Sequence, residues 1–223
     1  MIVGERKSLD EIRAMVEPYK KLLILGCGTC VSVCMAGGEK EVEILASQLR
    51  MVNEKEGRRQ EMEEATVQRQ CDREYIEPCL DKITEADAVL SMACGVGVQY
   101  VAEVAGEHSI VLPALNTEFY GANLDAGVWA ERCAGCGNCI LHITGGICPI
   151  ARCAKRLFNG PCGGSQNGKC EINPEVDCAW QLAYDRLKAR GQLEVLEEII
   201  PPKSWQPSLS GGPRKVIRED LLP

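Results

Sequence analysis

The chain has 223 residues, a formal net charge of −7, 45% hydrophobic residues and only 4% aromatic residues. A chain of this length can form one large domain or two modest ones around an aliphatic core. The excess of negative charge argues against nucleic-acid binding, which needs a basic face to neutralise phosphates. The sequence contains no run of about 20 apolar residues, which a membrane-spanning helix would need. Its first residues do not match a secretory signal. We therefore expect a cytoplasmic protein without membrane insertion.

Cysteine dominates the composition, with fourteen copies in the chain. The cytosol keeps thiols reduced, so a disulfide framework is not expected in a chain of this size and compartment. Reduced cysteines at this density are typical of metal binding. The sequence therefore predicts metal centres bound by thiolates.

The N-terminal half alternates between helical and strand-like patterns. Short apolar runs indicate buried strands, and apolar residues at helical spacing indicate the helices between them, with Ser8 as the N-cap of the first helix. The predicted helices cover 8–19, 39–53, 73–84 and 97–105, and the predicted strands cover 22–25, 66–70, 88–91 and 109–112. This alternation predicts an α/β fold, a Rossmann-like parallel sheet with helices on both faces.

Cysteines follow the ends of three of the predicted strands. Cys27, Cys30 and Cys34 come after the first strand, Cys71 after the second and Cys94 after the third. In open parallel sheets, ligands bind at the carboxyl ends of the strands. We therefore expect these five cysteines to meet at one edge of the sheet.

Three interpretations remain open for the Gly-Cys-Gly-Thr-Cys turn at 26–30. Its two glycines, with Asp72 after the second strand, partly match a dinucleotide-binding fingerprint, but Val31 occupies the third glycine position. Its Cys-x2-Cys spacing also matches a thioredoxin-like redox pair. The third interpretation is a [4Fe–4S] cluster, which needs four thiolates. Of the three interpretations, it is the one that also gives a role to the cysteines after the later strands.

For a cluster at this edge we predict four ligands and one substitute. The ligands are Cys27, Cys30, Cys34 and Cys94, with Cys71 as the substitute for the fourth position. Backbone N–H groups at the start of a following helix would favour the negative charge of such a cluster. Cys79 lies inside a predicted helix and is expected to be a buried structural thiol.

From residue 133 onward the sequence is dense in cysteine and glycine. Three cysteines at Cys-x2-Cys-x2-Cys spacing indicate a cubane cluster, and proline beside a cysteine is typical of bacterial ferredoxins. The eight candidate ligands make two sets of four whose partition the spacing leaves open: Cys133, Cys136, Cys139, Cys148, Cys153, Cys162, Cys170 and Cys178. We expect two or three [4Fe–4S] clusters in the whole chain, with zinc as the alternative at one site.

The remaining sequence offers little acid–base chemistry. His108 and His142 are the two histidines, and we expect both to be structural or solvated. The acidic stretch at 61–64 is expected to be a solvated face. After a helix at 179–190, the tail from residue 192 is either a disordered end or an arm that wraps a partner subunit, with Trp205 and Ile217 as its anchors.

Several segments resemble a known family. In the C-terminal half they are Gly145-Gly146-Ile147-Cys148-Pro149, Asn159-Gly160-Pro161-Cys162-Gly163-Gly164, Gly168-Lys169-Cys170-Glu171 and Cys178-Ala179-Trp180. These segments are similar to the cysteine-rich C-terminal domain associated with methylenetetrahydrofolate reductases. With the segments 26–30, 37–39, 70–72 and 93–95, nearly the whole chain resembles the small iron–sulfur/zinc subunit of the two-subunit reductase of acetogenic anaerobes.

The resemblance implies a division of labour in one-carbon metabolism. This chain would pass electrons through its clusters to a flavin-containing reductase subunit that converts methylenetetrahydrofolate to methyltetrahydrofolate. An electron-donating iron–sulfur or flavin complex would be a further partner. The flavin is expected in the partner, and no catalytic residue is expected in this chain.

The predicted organisation has three parts. Residues 1–125 form the Rossmann-like domain with one cluster site, residues 126–191 a cysteine-rich, ferredoxin-like metal-binding module, and residues 192–223 an extended partner-binding tail. Two alternatives stay open beside electron transfer. One is a zinc-stapled structural subunit without redox activity, and the other is a self-sufficient oxidoreductase with nucleotide or folate bound at the strand ends.

Overall fold

The computed structural model describes residues 1–208 and 212–221, so residues 209–211 and 222–223 of the predicted tail lie outside the described residues. The chain divides into two compact units, Met1–Ala130 and Glu131–Pro223. The strands are β1 Ile2–Arg6, β2 Lys21–Cys27, β3 Glu61–Val67, β4 Ala88–Met92, β5 Val111–Pro113, β6 Leu115–Asp125 and β7 Val128–Cys133. The helices are α1 Leu9–Val16, α2 Cys30–Val33, α3 Glu39–Lys55, α4 Arg73–Ile76, α5 Leu80–Glu85, α6 Gly95–Ala105, α7 Pro149–Arg152 and α8 Ala179–Ala189.

Four strands of the first unit form a parallel sheet in the order β3-β2-β4-β5. In the central strand β2, Leu22 and Ile24 pack into one apolar cluster with α1 and α3. Leu23 and Leu25 pack into a second cluster on the other face with α5 and α6. A mixed α/β fold with a parallel sheet covered by helices is therefore confirmed.

Four predicted helices, α1, α3, α6 and α8, are found close to their expected bounds. The Oγ atom of Ser8 accepts a hydrogen bond from the N–H of Glu11 at 3.2 Å, so it caps α1 as expected. Helix α3 buries Val42, Leu45 and Leu49 against the sheet. It runs on to Lys55, two residues beyond the predicted end.

The prediction for the second strand was wrong in its position. The strand was expected at 66–70, but β3 occupies Glu61–Val67 and includes the acidic stretch that was expected to be a solvated face. β3 is an edge strand of the sheet, where charged side chains are tolerated and discourage pairing with other chains. Glu63 and Glu64 are held by Lys82 and Arg50, each at 2.5 Å.

The predicted helix at 73–84 is broken into three short pieces. A 3-10 helix at Glu77–Cys79 separates α4 from α5. Pro78 lies at the start of this 3-10 helix. Proline has no N–H and clashes with the preceding turn, so a continuous α-helix cannot pass through this position.

A second sheet was missed by the sequence analysis. Its strands lie in the order β1-β6-β7, and β1 pairs antiparallel with β6. The register of this pairing shifts between Val3 and Gly4, which marks a β-bulge. Glycine and polar residues interrupt the apolar alternation of β1 and β6, and this alternation is the signal on which a strand prediction depends.

The second unit contains little regular structure. Its apolar cluster includes Trp180, Ile147 and Ala183, and 3-10 helices follow at Leu193–Glu197 and Glu219–Leu221. Beyond β7, its described strand pairing consists of isolated bridges from Lys169, so a ferredoxin-like sheet is not shown there. In neither described range, 1–208 or 212–221, is a helix long and apolar enough to cross a bilayer.

Candidate metal centres

The carboxyl edge of the parallel sheet brings together cysteines that are far apart in sequence. Cys27 is the last residue of β2, and Cys94 follows β4 as the N-cap of α6. Because β2 pairs with β4 in parallel, the two residues lie at the same end of neighbouring strands. Cys34 follows α2 as its C-cap.

Three of these thiols share one buried apolar cluster. Cys27, Cys34 and Cys94 are 7%, 7% and 9% exposed. The same cluster contains aliphatic and aromatic side chains and no other sulfur: Val3, Val31, Ala36, Ala93 and Leu115, with Ile2, Phe119 and Trp129 packed against it. Burial of this kind excludes water, which is one of the factors that sets the potential of a thiolate-bound cluster.

Cys71 is exposed but lies next to this cluster. The pKa of its thiol is raised, first by partial burial of the group and then by the neighbouring thiols of Cys27 and Cys94. We call Cys27, Cys34, Cys71 and Cys94 the N-terminal thiol set. The half-buried Cys30 opens α2, and its role as a ligand stays a prediction.

The bulge in β1 supplies a hydrogen bond to sulfur. The backbone N–H of Gly4 donates to Sγ of Cys34 at 3.5 Å. The Cys34 thiol also lies 3.5 Å from the carbonyl oxygen of Val31. The register shift at this point therefore directs a backbone N–H toward a candidate ligand instead of toward β6.

Two glycines hold the cysteine loop in place. The N–H of Cys27 donates to the carbonyl oxygen of Gly37 at 2.8 Å, and the N–H of Gly28 donates to the carbonyl oxygen of Val67 at 2.9 Å. A Cβ atom at Gly37 would overlap the carbonyl group of Met92 in β4. Glycine at this position therefore allows the backbone of the loop to approach β4 closely.

Gln70 ties the ends of two strands together beneath Cys71. Its side chain is fully buried, and its Nε2 donates to the carbonyl oxygens of Leu25 and Gly26 at 2.8 and 3.1 Å. Its Oε1 accepts from the hydroxyl of Ser91 at 2.6 Å. The sequence analysis gave Gln70 no role. Its position directly before the candidate ligand Cys71 was the signal that could have pointed to it.

Replacing Gln70 by alanine is expected to lower the free energy of unfolding by about 3 kcal/mol, because it leaves a buried hydroxyl without its partner. Denaturant unfolding would measure the loss. Gln68→Ala is the control, because Gln68 is exposed and its loss should change stability by about 0.5 kcal/mol or less. Equal effects of the two changes would contradict the role assigned to the Gln70 network.

Two buried N–H groups of the first unit make no hydrogen bond in the described part of the chain. They are Nε1 of Trp129 and Nε of Arg69, and the Arg69 atom has an ion-pair partner in Asp72 at 3.7 Å. Trp129 packs against the cluster that contains Cys27, Cys34 and Cys94, and Arg69 interacts with the Cys71 thiol. An unpaired buried donor costs about 1–3 kcal/mol. Such donors beside thiols fit a bound group that offers acceptor sulfur, as an iron–sulfur cluster does.

In the second unit, four cysteines line one small cavity of about 20 Å³. We call Cys153, Cys162, Cys170 and Cys178 the C-terminal thiol set. Cys153 is the C-cap of α7, and Cys178 is the N-cap of α8. The N–H of Cys178 donates to the carbonyl oxygen of Gly168 at 2.7 Å, which fixes the turn that carries Cys170.

Hydrogen bonds and a nearby cation favour the thiolate form in this cavity. The pKa of Cys170 is lowered, chiefly because the backbone N–H groups of Ile172 and Asn173 donate to its sulfur. Lys155 pairs with Glu171. The pKa of the Lys155 ammonium group is raised, first by this hydrogen bond and then by the nearby thiols of Cys162 and Cys170. Thiolates, rather than thiols, bind metal ions.

The other four cysteines of this unit are not brought together by a shared cavity or cluster in the part of the chain described. Cys133 ends β7 and Cys148 caps α7, while Cys136 and Cys139 lie in the loop between them. The N–H of Gly135 donates to Sγ of Cys133 at 3.3 Å. No closed group of three or more metal-ligating side chains is found within residues 1–208 and 212–221.

The comparison with known protein families adds one match. Residues 112–206 match the family described as Methylene-tetrahydrofolate reductase C terminal. The predicted resemblance to this family is therefore confirmed for that segment. No curated protein and no solved structure matches the chain.

The family segment contains the C-terminal thiol set and also Cys133, Cys136, Cys139 and Cys148. It begins in β5 and includes the β6–β7 hairpin with Trp129. The N-terminal thiol set lies before it. The family match therefore covers the cysteines of the second unit. The N-terminal thiol set is supported by the geometry of the sheet edge and not by the family match.

A larger, open cavity of about 600 Å³ lies at the opposite end of the sheet from the N-terminal thiol set. It is lined by residues at the starts of β2 and β3, among them Lys21 and Glu61. Ligands of parallel sheets bind at the carboxyl ends of the strands. This cavity is therefore not where the sequence predicted nucleotide or folate to bind.

Proposed function

We propose that this chain is an electron-transfer and assembly subunit of a methylenetetrahydrofolate reductase and that it holds iron–sulfur clusters. The observation that carries the proposal is the convergence of Cys153, Cys162, Cys170 and Cys178 on one cavity inside the segment that matches the family. Four thiolates bind either one iron–sulfur cluster or one structural zinc ion, and the iron–sulfur assignment rests also on the cysteine spacing of the other sets. The N-terminal thiol set offers a further site, at the edge of a Rossmann-like sheet where ligands of this fold bind.

A bound [4Fe–4S] cluster supplies one-electron chemistry by changing its charge state. The residues of this chain contribute the environment. Cys27, Cys34 and Cys94 are buried, which excludes water from the sulfur atoms. In the second unit, Lys155 lies beside Cys162 and Cys170 and offsets the negative charge that thiolate ligands bring.

A third set consists of the cysteines of the second unit that do not belong to the C-terminal thiol set: Cys133, Cys136, Cys139 and Cys148. Their spacing supports a cubane site, and residues 126–191 would then be a ferredoxin-like metal-binding module. The 20 Å³ cavity of the C-terminal thiol set is close to the space taken by one water or ion. If one set holds zinc, the cavity size favours this one.

The reaction that the chain would serve needs two electrons and two protons to convert methylenetetrahydrofolate to methyltetrahydrofolate. A low-potential iron–sulfur or flavin complex would supply the electrons one at a time, in the cytoplasm. The flavin of the partner subunit would collect two of them and transfer a hydride, which is chemistry of the cofactor. In the tail, the exposed side chains of Trp205 and Ile217 are proposed to contact that partner subunit.

Metal analysis of protein prepared without oxygen tests this function. Three clusters predict about 12 iron and equal acid-labile sulfide per chain, and a mixed set predicts about 8 iron with about one zinc. The reduced protein should give an electron paramagnetic resonance signal and should bleach the oxidised flavin of the reductase subunit. Zinc alone, without a reducible signal, would overturn electron transfer and leave a zinc-stapled structural subunit.

A further inference from the structure

Trp129 presents a buried hydrogen-bond donor that the fold does not use. Its Nε1 atom is buried and has no acceptor among the residues that the structure describes. The indole packs against the apolar cluster of the first unit that contains Cys27, Cys34 and Cys94. Trp129 lies in β7, the last strand of the sheet that begins with β1.

Trp180, which is buried as a whole residue, behaves differently. Nε1 of Trp180, in the second unit, donates to the carbonyl oxygen of Leu157 at 3.1 Å. Buried indole N–H groups usually find such a partner. The N–H of Trp129 is therefore an exception to this rule, and a bound group that accepts its hydrogen bond would explain the exception.

Sulfur is an acceptor that the apolar cluster beside Trp129 offers. Among the residues of this cluster, Cys27, Cys34 and Cys94 are the ones whose side chains carry an atom that can accept a hydrogen bond. Cys34 already receives the N–H of Gly4. An iron–sulfur cluster bound here would add inorganic sulfide, which accepts hydrogen bonds in the same way.

We propose that the indole N–H of Trp129 donates to sulfur of a cluster held by the N-terminal thiol set and raises the reduction potential of that cluster. The inference rests on the proposed function, and in it Trp129 sets the potential of the bound group by direct hydrogen bonding. Reduction adds one negative charge to the cluster, and a donor aimed at its sulfur stabilises the reduced form more than the oxidised form.

Arg69 places a positive charge beside Cys71. Its guanidinium group is held over the ring of Tyr75 at 4.8 Å and donates to the Tyr75 hydroxyl. Its Nε atom makes no hydrogen bond within the described residues and forms an ion pair with Asp72 at 3.7 Å. This charge is compatible with a negatively charged group at the N-terminal thiol set.

A redox titration of the full chain tests the proposal. The anaerobically prepared protein is reduced stepwise with dithionite, and each cluster signal is followed by electron paramagnetic resonance. In Trp129→Phe, one midpoint potential should become more negative and the others should stay unchanged. Tyr19→Phe is the control, because Tyr19 packs against the apolar cluster of α1 and α3 and not against the one that contains the cysteines, so all potentials should keep their values.

A second measurement does not require Trp129→Phe to fold. Protein labelled with ¹⁵N in the indole ring should show a ¹⁵N hyperfine coupling to a reduced cluster, and this coupling should persist in Trp180→Phe, which removes the indole that lines the cavity of the C-terminal thiol set. Absence of any indole coupling, or unchanged potentials in Trp129→Phe, would overturn the inference alone. Absence of any reducible cluster in the unaltered chain would overturn the proposed function and this inference with it.

Discussion

Cys170→Ser is expected to empty the cavity of the C-terminal thiol set and to remove one metal centre from the chain. The loss would be about four iron, or about one zinc if this set holds zinc. Cys170 is the thiol whose negative charge is best supported, since backbone N–H groups of Ile172 and Asn173 donate to its sulfur. Elemental analysis of purified protein would measure the change.

The same substitution should destabilise the second unit more than the first. Metal binding is coupled to folding in small units, and the apolar cluster around Trp180 is small. Limited proteolysis should therefore cut Cys170→Ser within the second unit. Cys79→Ala is the matched control, because Cys79 is buried in the first unit outside both thiol sets. It should keep its full metal content at a cost of about 1 kcal/mol, whereas full metal content in Cys170→Ser would refute the assignment.

Gly37→Ala is expected to disrupt the N-terminal thiol set. The added methyl group would overlap the carbonyl group of Met92, so the loop must move away from β4, where Cys94 follows. Overpacking of this kind costs about 1–3 kcal/mol, and the backbone carbonyl of β4 cannot rotate away as a side chain could. Thermal unfolding and the iron content of the purified variant would report the two effects.

Gly28→Ala separates the steric effect from a general effect of alanine in this loop. The nearest atoms to a Cβ at Gly28 are 3.5 Å away, which is an ordinary contact distance. Its stability should change by about 0.5 kcal/mol or less, with normal iron content. If Gly28→Ala and Gly37→Ala lost iron equally, the close approach of Gly37 to β4 would not be what positions the thiols.

The sheet and its cysteine edge could be predicted because their signals are local. The apolar run at 22–25 and the regular alternation with helices are sufficient to identify β2 and its parallel neighbours. The cysteines that follow β2 and β4 then fall at one edge by the geometry of a parallel sheet. Three of them, Cys27, Cys34 and Cys94, do share a buried cluster.

The antiparallel sheet could not be predicted for a different reason. β1 pairs with β6, more than a hundred residues later in the chain, and neither strand has a clean apolar alternation. Trp129 therefore gave no sign in the sequence that it would pack beside the cysteines. Its role, like that of Gln70, depends on which groups remain unpaired or become paired in three dimensions.

The partition of the C-terminal cysteines was also beyond the sequence. Spacing alone allows many ways of dividing the eight cysteines into two sets of four ligands. The last four line one cavity, and this arrangement supports their grouping as one set. The turn between Cys170 and Cys178 is closed by a hydrogen bond from the N–H of Cys178 to the carbonyl oxygen of Gly168, and the spacing of cysteines does not predict that bond.

The two thiol sets are completed at very different moments of synthesis. The C-terminal set closes within residues 153–178, so it can form as soon as one short segment has left the ribosome. The N-terminal set must wait for the β6–β7 hairpin, because the strand that carries Gly4 pairs with β6 and the indole of Trp129 packs on the same cluster. Contacts over such sequence separations form slowly. Cys27 and Cys34 are therefore translated about a hundred residues before the end of the hairpin that packs over them, and in that interval both thiols are open to incoming iron and sulfide.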